Sequence, residues 1–408
     1  MVAADLVVVG GGPAGAAAAI VAARAGREVV VVDKATFPRD KFCGDGLTSG
    51  ALRILEQLGL SPATIPSWTQ VDDVVISSPS HFGARFELPS GTGAYAAVAR
   101  RAELDGAILD LARDAGAKVL DGHGATGAVE HADRVIVTAD GIGEIHARYA
   151  VAADGMWSPM RKFLGLGTPG YRGESHAFRQ YFRNVGPRAR SGLHVWFEAD
   201  LLPGYAWSFP LANGRANVGF GIHRGGRIEV GDMKRLWPDL LERPRIAVVL
   251  GPDAEPEAPH RAWPLPARID RVTLTSRRTM FVGDAAGATD PMSGEGIGQA
   301  LLTGVLAARA AEAAGPFAHA QAMQQYTAHT RAALVADHRM SMCFLKLLEH
   351  RIGADAAVRI AGLTRWTRTN FARWLFEDYP RAMVLTPRRW HAGMFTGPGS
   401  YRDAPSTG

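Results

Sequence analysis

Apolar positions in the first part of the chain come in short unbroken blocks rather than in simple alternation. Leu6 to Val9 is such a block and predicts a strand buried on both faces, as in a parallel sheet. An alanine-rich stretch from Pro13 to about Ala25 predicts a helix that stops at Gly26, and Glu28 to Val32 predicts a second strand ending at Asp33. Further along, Tyr149–Ala153 and Met280–Val282 read as buried strands, and 101–112 and Ile297–Ala314 as helices. The middle of the chain differs. Leu193–Glu198, Ala206–Pro210 and Ala216–Ile222 predict strands separated by the turn signals Pro203-Gly204 and Asn213-Gly214. The proline-rich stretch Gly251–Pro266 reads as an irregular connection, and 316–408 as largely helical with a Pro/Gly-rich tail from Pro398. No internal repeat stands out, and no run approaches the roughly 18 apolar residues of a membrane-spanning helix.

The junction between the first strand and the first helix carries chemistry. Gly10-Gly11-Gly12-Pro13-Ala14-Gly15 has the G-x-G-x-x-G spacing. Gly10 permits the tight turn, Gly12 lets backbone approach a pyrophosphate, and Gly15 lets the helix lie close on the strand. Pro13 suits a first helical turn, where a missing N–H has no partner to lose. The helix N-terminus offers free N–H groups and partial positive charge to phosphates. Asp33, about 20 residues on, is placed to accept hydrogen bonds from an adenosine ribose. Strand, loop, helix, strand and acid in this order point to a dinucleotide, without separating FAD from NAD.

Two later segments choose between them. Asp154, Gly155, Ser158 and Arg161 form D-G-x-x-S-x-x-R after a strand; Gly283-Asp284-Ala285-Ala286-Gly287 leads through Asp290 and Pro291 to Gly294-Glu295-Gly296 and a helix. These resemble the second and third fingerprints of the FAD-dependent hydroxylase and reductase superfamily with the p-hydroxybenzoate hydroxylase-like fold. The resemblance implies that Asp284 bonds ribityl or ribose hydroxyls, and that Gly294, Gly296 and Ile297 border the pyrimidine edge of the isoalloxazine. A helix N-terminus there would stabilise anionic reduced flavin. Arg101, Leu104 and Asp105 fit the superfamily's R-x-x-[FL]-D pattern, which places Arg101 near the cofactor. Gly10, Gly12, Ala14, Gly15, Asp33, Lys34, Cys43, Gly44, Arg101 and Ala125 complete the set expected around FAD.

Phe37-Pro38-Arg39-Asp40-Lys41-Phe42-Cys43-Gly44-Asp45-Gly46 and Gly204-Tyr205-Ala206-Trp207-Ser208-Phe209-Pro210 resemble two segments of the geranylgeranyl reductase family, C-G-[DE]-[GA] and P-x-x-Y-x-W-x-F-P. The second match departs from the pattern at its start, where Leu202 stands for the first proline and Pro203 comes one residue late; the Y-x-W-x-F-P core is complete. The resemblance implies that Cys43, Gly44 and Asp45 lie near the flavin and that Tyr205, Trp207 and Phe209 line a substrate cavity. Their period of two puts those three rings on one face of a strand; taken without the resemblance, the same pattern reads as ordinary sheet core. The implied activity is FAD-dependent reduction of C=C bonds in a prenyl lipid or a quinone side chain, with NAD(P)H or a small redox protein as electron donor. A monooxygenase acting on an aromatic or polyketide-like substrate would share the fold, as would a non-catalytic lipid-binding escort.

The expected architecture is α/β: a Rossmann-like FAD-binding domain with a parallel sheet (1–66, 96–166 and 276–315), an inserted, mostly antiparallel substrate-binding sheet (67–95 and 167–275), and a C-terminal helical region (316–408). Composition changes this picture little. The 408 residues are 47% hydrophobic and 21% charged, and the 47 glycines are in excess of the usual share of about 7%. Two cysteines exclude a disulfide framework or zinc site; Cys43 falls in the flavin loop and Cys343 reads as helix core. The scattered histidines lack ligand spacing, and neither a G-x-S-x-G nucleophile elbow nor a Walker loop occurs. The net charge of +5 is compatible with an anionic cofactor or a membrane surface and gives no case for nucleic acid. With no basic-then-apolar leader visible, the cytoplasm is the default location. The span 346–402 holds ten Lys/Arg against four Asp/Glu, with Trp366, Phe371, Trp374, Phe376 and Trp390 among them. That mixture raises peripheral membrane contact, with part of the aromatic set on one helix face; the alternative is that the aromatics pack on the FAD domain and the arginines are merely solvated.

Overall fold

The computed structural model describes residues 2–390 and 393–402. The expected glycine-loop unit is present: strand Val2–Val9, helix Pro13–Arg24 and strand Val29–Asp33. Val7, Val8, Val31 and Val32 are buried on both sides, which is why this stretch shows runs rather than alternation. The strands lie in a seven-stranded sheet ordered Lys118–Asp121, Val29–Asp33, Val2–Val9, Gly143–Ala152, Val135–Ala139, Ala125–Glu130, with Thr279–Phe281 also pairing with Gly143–Ala152. Its core is parallel; the strands Val135–Ala139 and Ala125–Glu130 add an antiparallel edge.

Helix Ile297–Ala314 packs on helix Pro13–Arg24 through small residues. A Cβ on Gly304 would stand 2.0 Å from the Ala14 carbonyl oxygen, so only glycine permits this approach. The middle segment builds an eight-stranded sheet. Its order is Glu255–Pro256, Ser175–Arg183, Arg215–His223, Ala206–Leu211, Leu193–Trp196, Asp73–Ser77, Gly83–Glu87, and Arg261–Leu265 also pairs with Ser175–Arg183. All pairings in it are antiparallel except Leu193–Trp196 with Asp73–Ser77.

Three expectations need correction. The proline-rich stretch 251–266 is not irregular throughout: it contributes two edge strands, where a proline without an N–H is tolerated because only one side is paired. Cys343 is exposed. Helix His319–Leu348 turns Tyr326, Thr330, Leu334, His338, Ser341 and Leu345 inward, and position 343 falls outside that stripe. The aromatics of 346–402 do not form one exposed face. Phe371 packs on Phe86 and Trp374, Phe376 is buried, and Trp374 bonds the Arg381 carbonyl, whereas Trp366 and Trp390 stay exposed. Among the described residues no helix is long and apolar enough to cross a membrane.

Candidate functional site

A cavity of about 750 Å³ runs from the glycine loop to the inner face of the eight-stranded sheet. At the first end, Gly10 (φ 108°) faces the Ala153 carbonyl, where a Cβ would come within 2.3 Å. Gly15 lies under the turn, with 1.8 Å between its would-be Cβ and the Gly10 oxygen; of the residues expected around the cofactor it alone does not line the cavity. Helix Pro13–Arg24 has no side-chain cap, so its first N–H groups are open to an anion. Asp33 accepts from the backbone N–H groups of Gly11 (2.7 Å) and Ala35 (2.8 Å), which fastens the second strand to the glycine loop. Lys34 and Ala125 line the same end.

Asp105 is fully buried between two guanidiniums, Arg39 at 2.8 Å and Arg101 at 2.7 and 2.8 Å. The R-x-x-L-D motif is therefore a clamp, and it holds both arginines along the cavity. Asp154 accepts from the Met160 N–H (2.8 Å) and shapes the turn before a short helix. Arg161 then donates to the carbonyls of Ala285 and Thr273, both at 2.6 Å, fixing the loop that carries Asp284. Among the described residues the Asp284 carboxylate has only Lys41 as an ionic neighbour, at 3.9 Å, and it faces the cavity. Gly294, Gly296 and Ile297 follow along the wall at the start of helix Ile297–Ala314, where the Glu295 carboxyl accepts from the Gly298 N–H (2.6 Å).

The other end is aromatic. Tyr205, Trp207 and Phe209 line the cavity in a row, with ring centroids 6.1 and 6.0 Å apart. The Cys43-Gly44-Asp45-Gly46 loop packs directly on them: a Cβ on Gly44 or Gly46 would touch the Phe209 ring at 3.4 or 3.3 Å. Asn217 joins the two motifs. It accepts from the Trp207 indole (3.0 Å) and donates to the Cys43 carbonyl and the Asp45 carboxylate (both 2.9 Å). The open glycine cradle, the uncapped start of helix Pro13–Arg24 and the cavity-facing Asp284 fit a dinucleotide whose ring system reaches the aromatic wall.

The chain is similar to known flavoproteins. Residues 3–337 match the family model described as FAD binding domain. The chain is 38% identical over 327 residues to menaquinone reductase of Mycobacterium tuberculosis, covering 75% of this chain and 76% of that one. It is 32% identical over 315 residues to digeranylgeranylglycerophospholipid reductase 2 of Methanopyrus kandleri, covering 75% and 76%. Among solved structures, a geranylgeranyl bacteriochlorophyll reductase-like protein of Thermoplasma acidophilum superposes with a TM-score of 0.78 at 23% identity, over 96% of this chain and all of that one. This chain belongs to the geranylgeranyl reductase family of FAD-dependent oxidoreductases.

A halogenase crystallised with FAD shares the fold at a TM-score of 0.73 and 17% identity, so the fold alone does not choose the reaction. The electrostatics of this reductase-family flavoenzyme separate its two loops. Asp45 (φ 67°) is buried, accepts from the Tyr181 hydroxyl (2.6 Å), and is pushed up to about 6 by burial, against the pull of Arg179. Burial likewise pushes the Cys43 thiol up, opposed by Arg101. Glu295 is pushed further, to about 8, by burial and by the Glu377 carboxylate. The sequence reading missed Glu295 as a separate feature, although it lies inside the G-E-G motif. It also missed Arg39, Lys41 and Trp263 on the cavity wall, and the segment 376–381, which has no motif of its own.

Proposed function

We propose that the enzyme reduces isolated C=C bonds in the prenyl chain of a lipid or quinone. The observation that carries this reading is that the nucleotide cradle and the row Tyr205, Trp207, Phe209 share one cavity, with Cys43, Gly44 and Asp45 between them. Gly10, Gly12 and Ala14 take the pyrophosphate of FAD, Asp33 the adenosine ribose, and Asp284 the ribityl or ribose hydroxyls. Gly294, Gly296 and Ile297 border the pyrimidine edge. Bound FAD supplies two-electron hydride chemistry. The chain's own residues bind and orient. An aromatic wall suits a long apolar substrate that offers few polar handles. Packing by Phe42, Trp263 and Leu265 around Trp207 keeps water from that wall. The relatives' printed names, a menaquinone reductase and a digeranylgeranylglycerophospholipid reductase, support a prenylated substrate.

The test is anaerobic. Chemically reduced enzyme is mixed with a geranylgeranylated lipid that carries no quinone ring, so that the alkene is the sole oxidant, and the flavin spectrum is followed. Reoxidation without oxygen, driven by the prenyl chain, is the expected result. Reoxidation only by oxygen, through a flavin hydroperoxide with oxygen inserted in a substrate, would establish the monooxygenase reading instead.

We also propose that the enzyme reaches such a substrate by lying on an anionic membrane surface. The contact surface differs from the aromatic set expected from sequence. Ile352 and Ile360 on helix Arg351–Ala361, Leu363 and Trp366 beyond it, and Val384, Leu385 and Trp390 are 52–83% exposed. Arg351, Arg359, Arg365 and Arg368 are exposed among them. Exposed apolar side chains in this number ask for a partner, and basic residues near anionic lipid contribute about 1 kcal/mol each.

A further inference from the structure

We propose that Glu295 is the acid that protonates the substrate alkene, an inference that rests on the reduction reading above. Glu295 lines the cavity beside Gly294 and opposite Tyr205, whose hydroxyl donates to the Ser293 carbonyl. One of its carboxyl oxygens accepts from the Gly298 N–H at 2.6 Å. Behind it the C-terminal segment inserts Glu377 and Arg381 into the wall. Glu377 sits at φ 57°, an unfavourable backbone for a residue with a Cβ, and is held there by its surroundings. Gln299 donates to it at 3.1 Å, and Arg381 donates to it at 3.2 Å and to the Ser293 hydroxyl at 3.0 Å. Arg381 also faces Asp290 at 3.4 Å.

Two buried carboxylates, Asp290 and Glu295, and the half-buried Glu377 thus gather around one buried guanidinium. Fully ionised, the group would hold uncompensated negative charge in a water-poor wall, which is strongly unfavourable. The neighbouring groups on other elements do not relieve it: Asp337 pairs with Arg389 (2.9 Å), and His338 turns to Asp270 (3.3 Å). A proton must therefore reside in the cluster, and the hydrogen bonds locate it. Asp290 accepts from the Met292 and Ser293 N–H groups and from the Ser293 and Ser341 hydroxyls, all of which favour its ionised form. Glu377 has Gln299 and Arg381. Among the described residues Glu295 has the Gly298 N–H alone, so the proton sits on Glu295, the carboxyl on the cavity wall. Asp45, another buried acid on the cavity wall, is also pushed up by burial, but only to about 6, because Arg179 and the bonds from Tyr181 and Asn217 favour its charged form.

In the step, the proton leaves the Glu295 carboxyl and forms a C–H bond at one alkene carbon. Bound reduced FAD would supply the hydride and its electron pair for the C–H bond at the other carbon, so that the π bond is replaced by two C–H bonds. The Glu295 carboxylate is then reprotonated from solvent.

Glu295→Gln tests this while keeping an oxygen for the Gly298 N–H. FAD content and anaerobic reduction by dithionite should be unchanged, while single-turnover alkene reduction should fall about 10²- to 10⁴-fold, the usual range for loss of a general acid. In wild type the rate should fall as pH rises through about 8, where Glu295 ionises; Glu377→Gln removes the adjacent negative charge and should move that limb to lower pH. Independently of turnover, infrared difference spectra should show a protonated carboxyl at neutral pH that Glu295→Gln abolishes. Wild-type rates in Glu295→Gln, an alkaline limb unmoved by Glu377→Gln, or a carboxyl band that persists in Glu295→Gln would each overturn the assignment. A wild-type enzyme that leaves the alkene untouched would overturn the reduction reading, and the infrared band would still report separately whether Glu295 holds a proton.

Discussion

The two ends of the cavity are built on different principles. The adenosine end is made of backbone: a turn, a helix start and two strands within the first 33 residues, where space is set by the absence of side chains at Gly10, Gly12 and Gly15. The reactive end is made of side chains from five separate stretches: 42–46, 205–217, 263–265, 290–297 and, behind the wall, 377–381. A backbone site tolerates no substitution but needs few residues. A side-chain site can be retuned one residue at a time, which suits the part of the molecule that chooses the substrate.

The sharpest way to break this contrast is Gly15→Ala. Its Cβ would overlap a backbone oxygen at 1.8 Å, which no rotamer relieves, so the strand–turn–helix unit must shift. The expected outcome is a colourless protein, read directly from the flavin absorbance of the purified variant. Asp284→Ala should do less. Among the described residues its carboxylate makes only the long contact to Lys41, so the fold should survive. Loss of a charge-assisted bond costs about 1.5–3 kcal/mol, or roughly 10- to 150-fold in the Kd for FAD, measurable by titrating apoprotein. At the aromatic end Trp207→Phe keeps a ring but removes the bond to Asn217 (3.0 Å). Flavin content should hold while KM for a prenyl substrate rises by about 5- to 10-fold, in line with roughly 1 kcal/mol for one hydrogen bond. A colourless Trp207→Phe would show that the two ends are not separable. The smallest effect belongs to the outer surface. Arg365→Glu combined with Arg368→Glu should reduce co-sedimentation with anionic vesicles and leave turnover of a detergent-dispersed substrate unchanged; equal binding to neutral vesicles would contradict the electrostatic part of the proposal.

The same division explains what could be read in the sequence. The glycine loop, Asp33, Arg101 of the R-x-x-L-D clamp and the loop with Asp284 are local patterns whose geometry follows from neighbouring residues, and all of them meet at one cavity. The helix Ile297–Ala314 matches its expected bounds because glycines fix both ends: Gly296 precedes it and Gly315 (φ 66°) stops it. The segment 376–381 was not legible, because nothing near Glu377 or Arg381 signals that they insert beside a loop some 80 residues earlier. Strands Glu255–Pro256 and Arg261–Leu265 were hidden by their prolines, since edge pairing to Ser175–Arg183 is a tertiary event. The C-terminal aromatics left two readings open for a related reason. Their spacing was compatible with one exposed face, but Phe371 and Phe376 have a sheet to pack on, and the exposed positions fell instead to Ile352, Ile360 and Leu363.

The central claim is that this cavity brings flavin and prenyl chain together for reduction. It is tested most directly by mass spectrometry of the quinone after a single anaerobic turnover with chemically reduced enzyme. The account predicts a product heavier by one pair of hydrogens, located in the side chain, in a yield matching the flavin reoxidised. A product altered only in the quinone ring, or one that appears only with oxygen and carries an added oxygen atom, would contradict it.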